Sequence, residues 1–534
     1  MTTLIQGTDL PLADWASPST LPTRSGGPGA GSSVGALVRR RATETGDRVY
    51  AEDARSERVL TFDTVEHWRL AWERAPFDAG TTVGLSIADP LRCAAALVGA
   101  VAAGLWVAPL DPATPDAGPS GLAALLSRVG THVLVTDRPA PTGGAFDWVD
   151  LESLLLGSTA AQGVRGPLAS TGGVVLSSSG TTGAPKVVRL TQAQLLHTAR
   201  SVVAHHDLTP SDRCFNSLPL FHINAEVVAL LSSLVAGSCV VLDAGFHRTD
   251  FWELMGRRRV TWINAVPAII SRLADLRAGE SVPAGIRFVR SASAPLPVAT
   301  ADRFEAATGI RVIETYGMTE AASQIAAHPL SVPRRAGSVG VPVGIDLRIV
   351  GDESAEVGPR HGGPGEVGEI EIRGPSVIGG YEGGVHAERV SADGWLKTGD
   401  LGWRDEEGFL YLIARTDDVI NRGGEKIFPR EIEEIISADP AVRSVAVVGQ
   451  RDPELGQVPV AYMVIEGVES ADDVEPAALA AERINTALAA SLVRARRPVE
   501  LHLLESLPAG ATGKVRRRAL RASSLSILHS FAGA

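Results

Sequence analysis

The chain keeps only four lysines among 534 residues, Lys186, Lys397, Lys426 and Lys514, and every other permanent cation is arginine. Each lysine lies close to glycine or proline, in "GAPK", "LKTGD", "GGEK" and "ATGK". An ammonium is a compact charge on a slim stem, whereas a guanidinium is planar, broad and fork-shaped. Where composition has otherwise drifted to arginine, the retained lysines mark places that need the compact charge. Chance would seldom put all of them in glycine-rich loops. The first ends the loop of "VVLSSSGTTGAPKVVRLT", Val174 to Thr191, where Ser177, Ser178 and Ser179 precede Gly180, and Thr181, Thr182 and Gly183 follow it. Such a loop can aim backbone N–H groups and hydroxyls at an anion. Its composition alone would equally suit a flexible surface turn. The Walker phosphate loop is excluded, because Ala184-Pro185 follows Gly183 in place of Lys-Ser or Lys-Thr.

These residues need elements to hold them. Val174 to Leu176 suits a buried strand, and Thr191 with Gln194 forms a capping box, flanked by Leu190 and Leu195 as a hydrophobic staple. The loop is therefore expected between a strand and a helix. From Val34 to about Ile413, apolar strands such as "GSCVVLDAG", "VTWINAV" and "IRVIETY" alternate with helical patterns, which implies α/β layers with largely parallel sheets. A hairpin turning at Asp405 to Gly408 pairs strand 401–405 with 409–413, setting Asp400 opposite Ile413 with Arg415 as its diagonal neighbour. Beyond it an amphipathic helix carries Ile432, Ile435 and Ile436 on one side, followed by strands, another helical stretch and a basic tail. This predicts a small α+β domain of ordinary size. Residues 1–34 are rich in Gly, Pro, Ser and Thr and read as a mobile arm.

Composition removes several classes of function. A net charge of -11 gives no electrostatic reason to expect nucleic acid or an anionic membrane. Cys93, Cys214 and Cys239 are too few and scattered for a disulfide framework or a zinc site, which fits a reducing cytoplasm. No signal peptide is read at the start. Cys93 to Leu110 is uncharged, but its Ala/Gly content and the abrupt "PLDP" suit a buried helix leading into a strand better than a membrane span.

Together "SSSGTTGAPK", "SLPLFH", "SASAPLP", "YGMTE", "TGD", "ARTDDVINRGGEKI" and "ATGK" resemble, in order, the motifs of the acyl-adenylate-forming superfamily in its acyl-CoA synthetase branch. The likeness covers about Val34 to Arg518. It implies a large N-terminal domain of layered α/β subdomains with a small β-barrel part, residues 35–416, and a small mobile α+β C-terminal domain, residues 417–534, carrying the catalytic lysine. It implies ATP, Mg²⁺ and coenzyme A as cofactors, and a small-molecule carboxylic acid as substrate. The reaction is acid activation to acyl-AMP, then transfer to a thiol, without integral membrane association. An adenylate-only enzyme, or one loading a carrier protein or partner transferase, stays an alternative. A non-catalytic nucleotide-binding relic does not suit retention of Glu320, Asp400, Arg415 and Lys514 together.

Roles follow position by position from that resemblance. Ser178, Ser179, Gly180, Thr181, Thr182, Gly183 and Lys186 hold the outer phosphates of ATP, and Ser293, Ala294 and Pro295 lie beside adenine. Glu314, Thr315, Tyr316, Gly317 and Met318 complete the nucleotide site, with Tyr316 stacking on adenine. Thr319 meets the α-phosphate, and Glu320 is the Mg²⁺ ligand, a hard oxygen donor such as that ion prefers. Asp400 and Arg415 bind the ribose, and Lys514 reaches the acyl carboxylate and α-phosphate. His222 gates the acyl pocket, which is walled by Ile223, Asn224, Ala225, Ala292, Gly317, Ala322 and Ser323. Gly423 and Gly424 line the thiol's entry, and Asp417 is the hinge.

Three departures from the family pattern fall at Val187, Ala414 and "PAGATGK", the last two in parts that move or meet coenzyme A. An amino-acid-adenylating enzyme would carry an acid near "PLFH" to pair an ammonium, and none precedes Glu226. The small pocket walls predict a bulky apolar or aromatic acid. The only cation in the wall segments is Arg290, and a second carboxylate would need one.

Overall fold

The computed structural model describes residues 33–113, 118–139, 146–156, 171–178, 186–351, 365–470, 472–510, 514–521 and 526–533. Most of the expected arm lies outside these residues. Its last two residues do not continue it. The Ser33 hydroxyl accepts from the Ala36 N–H and caps the helix Val34–Thr45. The Val34 N–H donates to Gln192 Oε1 at 2.7 Å, so both residues are buried in the main body.

Among the described residues, the largest sheet has nine strands. Its parallel part runs Val49–Asp53, Cys239–Leu242, Arg213–Asn216, Trp262–Ala265, Phe288–Ser291 and Arg311–Tyr316. Cys239–Leu242, Trp262–Ala265 and Phe288–Ser291 are buried throughout, as expected of strands covered on both faces. A second sheet orders Asp147–Asp150, Val133–Thr136, Thr82–Ser86, Trp106–Pro109, Gly173–Ser178 and Lys186–Thr191. The uncharged run from Cys93 ends the helix Pro90–Ala102 and feeds the strand Trp106–Pro109. Among the described residues no helix is long and apolar enough to cross a membrane.

The capping box at Thr191 and Gln194 is present. The segment before it differs from expectation. Lys186 opens a strand, not a loop leading straight into a helix, and this strand pairs antiparallel with Gly173–Ser178, Ser178 opposite Lys186. β-branched Val187, Val188 and Thr191 suit that strand, and the helix starts only at Gln192.

The four strands Asp346–Gly351, Gly368–Arg373, Leu396–Arg404 and Leu410–Arg415 form an antiparallel sheet. Its last hairpin corrects the expected register. Asp400 pairs directly with Arg415, and Leu401 with Ala414, but Gly402 pairs with Leu412. Ile413 is thus the extra residue of a β-bulge, which moves everything beyond it by one position. Glycine permits this, since a Cβ at Gly402 would lie 2.6 Å from the Tyr411 carbonyl oxygen.

One apolar core extends from Val34 to Leu410 through the sheets described so far. A separate one, from Ile420 to Leu503, fills the C-terminal part between its six-stranded sheet and the helices Pro429–Ser437 and Val474–Ser491. Ile432 and Ile436 are fully buried there, with Ile435 packed at the margin.

Candidate active site

Three strands meet around Asp400. Tyr316, the last residue of its strand, is buried and donates its hydroxyl to Asp400 Oδ2 at 2.5 Å. Across the hairpin, Arg415 Nε lies 3.6 Å from Asp400 Oδ1. Burial pushes the Asp400 carboxyl pKa up, against the opposing influence of Arg415, the Tyr316 hydroxyl, Lys514 and Arg389. Lys514 is exposed to solvent, but crowding by surrounding protein is the largest influence on its ammonium and pushes its pKa down. Arg415 adds to this, while Asp400 and Asp418 oppose it. The charge of this C-terminal lysine is thus felt at the Asp400–Arg415 pair.

After Tyr316 the chain turns sharply. A Cβ on Gly317 would overlap the Ser323 carbonyl oxygen, 1.5 Å away. Ala322 and Ser323 take positive φ, a conformation uncommon for non-glycine residues and associated with functional sites. The turn Thr319–Ala321 holds Glu320 buried. Tyr381 donates to Glu320 Oε1 at 2.8 Å and accepts from Arg389 Nη1 at 3.1 Å. The Lys186 ammonium lies over the Tyr381 ring, 5.3 Å from its centre. Burial and nearby Arg389 push the Lys186 pKa down, while Glu320 and Asp417 raise it. Lys186, Glu320, Tyr381 and Arg389 thus form one charged cluster next to Asp400 and Arg415. Tyr381 and Arg389 were missed from the sequence. The rarity argument applied to lysine extends to tyrosine, of which the chain has five.

The other expected site residues divide. Ser179, Gly180, Thr181, Thr182 and Gly183 lie outside the described residues, as does the side chain of Ser178. Thr315 donates its hydroxyl to the Ser291 carbonyl at 2.8 Å and serves the sheet. Glu314 is buried with Arg334 4.0 Å away, and desolvation pushes its carboxyl up to about 8. Ser293, with φ 73°, is exposed; Ala294, Met318 and Thr319 are half-buried, and Pro295 is exposed. His222, with Nε2 buried and unpartnered among the described residues, has its pKa lowered by burial. After Ile223, Asn224–Leu231 forms a π-helix, with Ala225 fully buried; such helices are rare and frequent at functional sites. Ala292, Ala322 and Ser323 are also buried. Gly423 and Gly424 form a turn with φ of 59° and 94°. Their N–H groups bond to Leu455 O and Asn421 Oδ1, within the C-terminal part.

Arg290 does not turn away from the pocket segments. It is fully buried and donates through Nη1 to Asn224 Oδ1 at 3.1 Å and Asn264 Oδ1 at 3.3 Å, and through Nη2 to Gln324 Oε1 at 3.3 Å.

The AMP-binding enzyme family matches residues 75–382, and the AMP-binding enzyme C-terminal domain matches residues 431–514. The chain is 36% identical over 510 residues to sulfoacetate–CoA ligase of Cupriavidus necator, covering 91% of this chain and 96% of that one. With oxalate–CoA ligase of Arabidopsis thaliana it shares 35% over 396 residues, 73% of this chain and 74% of the relative. Among solved structures it is similar to o-succinylbenzoate CoA synthetase from Bacillus subtilis in complex with its acyl-adenylate intermediate, with a TM-score of 0.77 and 27% identity, covering 92% of this chain and 98% of that one. With matches to both parts and this extent of likeness, the chain belongs to the AMP-binding enzyme family.

Proposed function

We propose that the chain is an AMP-forming acid–thiol ligase that activates a carboxylic acid with ATP and passes the acyl group to coenzyme A. The observation that carries this is the charged cluster of Lys186, Tyr381 and Glu320 next to the Tyr316–Asp400–Arg415 contacts, on which the Lys514 charge of the C-terminal part also acts. The named relatives are CoA ligases, which supports the thiol acceptor.

In the first half-reaction the acid's carboxylate attacks the α-phosphorus in line, and pyrophosphate leaves. Two anions must approach each other, so fixed positive charge has to stand where charge accumulates. Lys514 supplies it at the acyl carboxylate and α-phosphate, and Lys186 with the loop from Ser178 to Gly183 at the departing phosphates. Asp400 and Arg415 orient the ribose, Tyr316 the adenine, and Thr319 the α-phosphate. Glu320 fits a Mg²⁺ ligand. It is a hard oxygen donor held within reach of Lys186, with Tyr381 engaging one of its two oxygens. The bound ion would supply charge neutralisation at the phosphates. In the second half-reaction a thiol attacks the mixed anhydride and AMP leaves. His222 gates the thiol's approach, Gly423 and Gly424 line it, and the C-terminal domain from 417 onward swings about Asp417.

Two classes of acid compete. The small walls at Ala225, Ala292 and Ala322 favour a bulky apolar or aromatic acid. Sulfoacetate and oxalate, for which two relatives are named, each carry two anionic groups.

The test is pyrophosphate release from ATP with a panel of carboxylic acids, with and without coenzyme A. Acid-dependent release with thioester formation is expected. Release without thioester would point to a carrier protein or partner transferase as acceptor. No release with any acid would refute the activity.

A further inference from the structure

The guanidinium of Arg290 is 1% exposed, and no ion pair joins it to a carboxylate among the described residues. Its partners are three side-chain amides, those of Asn224, Asn264 and Gln324. Glu226, two residues along the π-helix from Asn224, does not serve it, for both of its carboxyl oxygens are buried without a partner among the described residues. A buried charge without a counter-ion is costly, and hydrogen bonds to neutral amides offset only part of that.

The place of this charge is specific. Asn216, Asn264 and Arg290 pair laterally across three parallel strands, close to their carboxyl ends, where open α/β sheets bind ligands. Asn264 Nδ2 donates to Asn216 Oδ1 at 3.0 Å and to Asn224 Oδ1 at 3.4 Å. Asn224 thus has its oxygen turned inward to Arg290 and Asn264. Its Nδ2 is directed the other way, with the Ser293 hydroxyl at 3.5 Å as its one partner among the described residues, and Ser293 is exposed. A line of contacts runs from the buried charge through Asn224 to the open side. The surroundings also hold surplus donors, since Arg290 Nε and Gln324 Nε2 are buried with nothing among the described residues to accept from them. An environment that is cationic and rich in donors, with no carboxylate paired to its charge among the described residues, lacks one thing, an anion.

We propose that the acyl pocket selects an acid bearing a second anionic group, a carboxylate or a sulfonate, which accepts from Asn224 and Ser293 while the Arg290 charge stands behind them. This rests on the ligase reading and reverses the expectation of a bulky apolar substrate. A neutral acyl tail would leave the guanidinium as uncompensated as it is in the free protein. Arg290 acts through Asn224 and is a positioning residue. Its hydrogen bonds fix the Asn224 amide with the donor side outward.

The test compares pyrophosphate release for matched acids, malonate against butyrate and sulfoacetate against propionate, with benzoate and phenylacetate as bulky apolar probes. Sites built to hydrogen-bond a substrate group reject analogues lacking it strongly, so a dianionic acid should exceed its monoanionic match in kcat/KM by at least about a hundredfold. The malonate and sulfoacetate arms separate a carboxylate from a sulfonate as the preferred second group. Asn224→Leu, shown to be folded by its thermal melt, should narrow that ratio at least about tenfold, mostly through KM for the dianion. Arg290→Gln should narrow it likewise; should that variant not fold, the wild-type panel and Asn224→Leu still decide. Equal or faster turnover of the monoanionic or apolar acids would overturn the inference and leave the ligase standing. No release with any acid would overturn both.

Discussion

Lys514 and Tyr381 differ in how visible they are in sequence. Lys514 stands out as one of four lysines at the end of a recognisable "ATGK". Lys514→Ala should slow adenylate formation on the order of a hundredfold, as loss of a transition-state charge stabiliser does. The Asp400–Arg415 pair proposed to hold the ribose remains, so ATP affinity should change little, and thioester formation from supplied acyl-AMP should persist. A variant with ordinary pyrophosphate release would remove Lys514 from the chemistry. Tyr381 reaches Glu320, the proposed Mg²⁺ ligand, from 61 residues away in the chain. That distance, on an irregular glycine-rich stretch, is why no local pattern marks it. Tyr381→Phe keeps the ring under Lys186 and removes the hydroxyl that orients the carboxylate. Loss of such a supporting partner typically weakens metal binding ten- to a hundredfold. The Mg²⁺ midpoint of pyrophosphate release at fixed ATP should rise by about tenfold, with thermal stability nearly unchanged. An unmoved midpoint would leave Tyr381 with a packing role alone.

Elements were legible wherever hydrophobic period and turn chemistry act locally. The strands Cys239–Leu242, Trp262–Ala265 and Arg311–Tyr316, the capping box at Thr191 and the Ile432–Ile436 stripe all formed as their side-chain pattern requires. What escaped was decided by partners distant in sequence. Strand Lys186–Thr191 exists because Gly173–Ser178 offers it an antiparallel edge. The π-helix Asn224–Leu231 carries no distinguishing composition. The bulge at Ile413 inserts one residue into a hairpin whose pattern permits either register. That bulge brings Arg415 directly across from Asp400, so the local geometry of the expected ribose site depends on it. Gly402→Ala would place a Cβ 2.6 Å from Tyr411 O and 2.9 Å from Ile370 Cδ1. Overpacking of this kind costs about 1–3 kcal/mol. The variant should melt at a lower temperature and show a raised KM for ATP, because relief of the clash shifts the Asp400–Arg415 pair. A lower melting temperature with unchanged KM would uncouple the bulge from the nucleotide site.

At the scale of the whole molecule the question is how one cleft serves two reactions, and the boundary between its two cores is where to ask it. The cores end and begin at Leu410 and Ile420, with the short 3₁₀ turn Thr416–Asp418 between them. Among the described residues, polar contacts between the parts include Arg430 Nη1 donating to Leu412 O at 3.0 Å and the Val298 N–H donating to Glu434 Oε2 at 3.3 Å. In this arrangement the Lys514 charge acts on Asp400 and Arg415, as the proposed adenylation step requires. The Gly423–Gly424 turn bonds within its own part. Thiol transfer would require that turn to approach, and hence a rotation of backbone torsions near Asp417. A 3₁₀ turn has φ near −60°, which is the angle proline imposes, and proline is tolerated in a helix's first turn. Asp417→Pro should therefore retain this orientation and forbid the rotation. One equivalent of pyrophosphate per chain should be released in a burst, with acyl-AMP retained on the protein. Thioester formation should fall on the order of a hundredfold, because the thiol's entry is no longer brought into position. Rapid-quench measurement of both products separates the half-reactions. If adenylate formation and thioester formation decline in equal measure, the rotation takes place elsewhere in the chain.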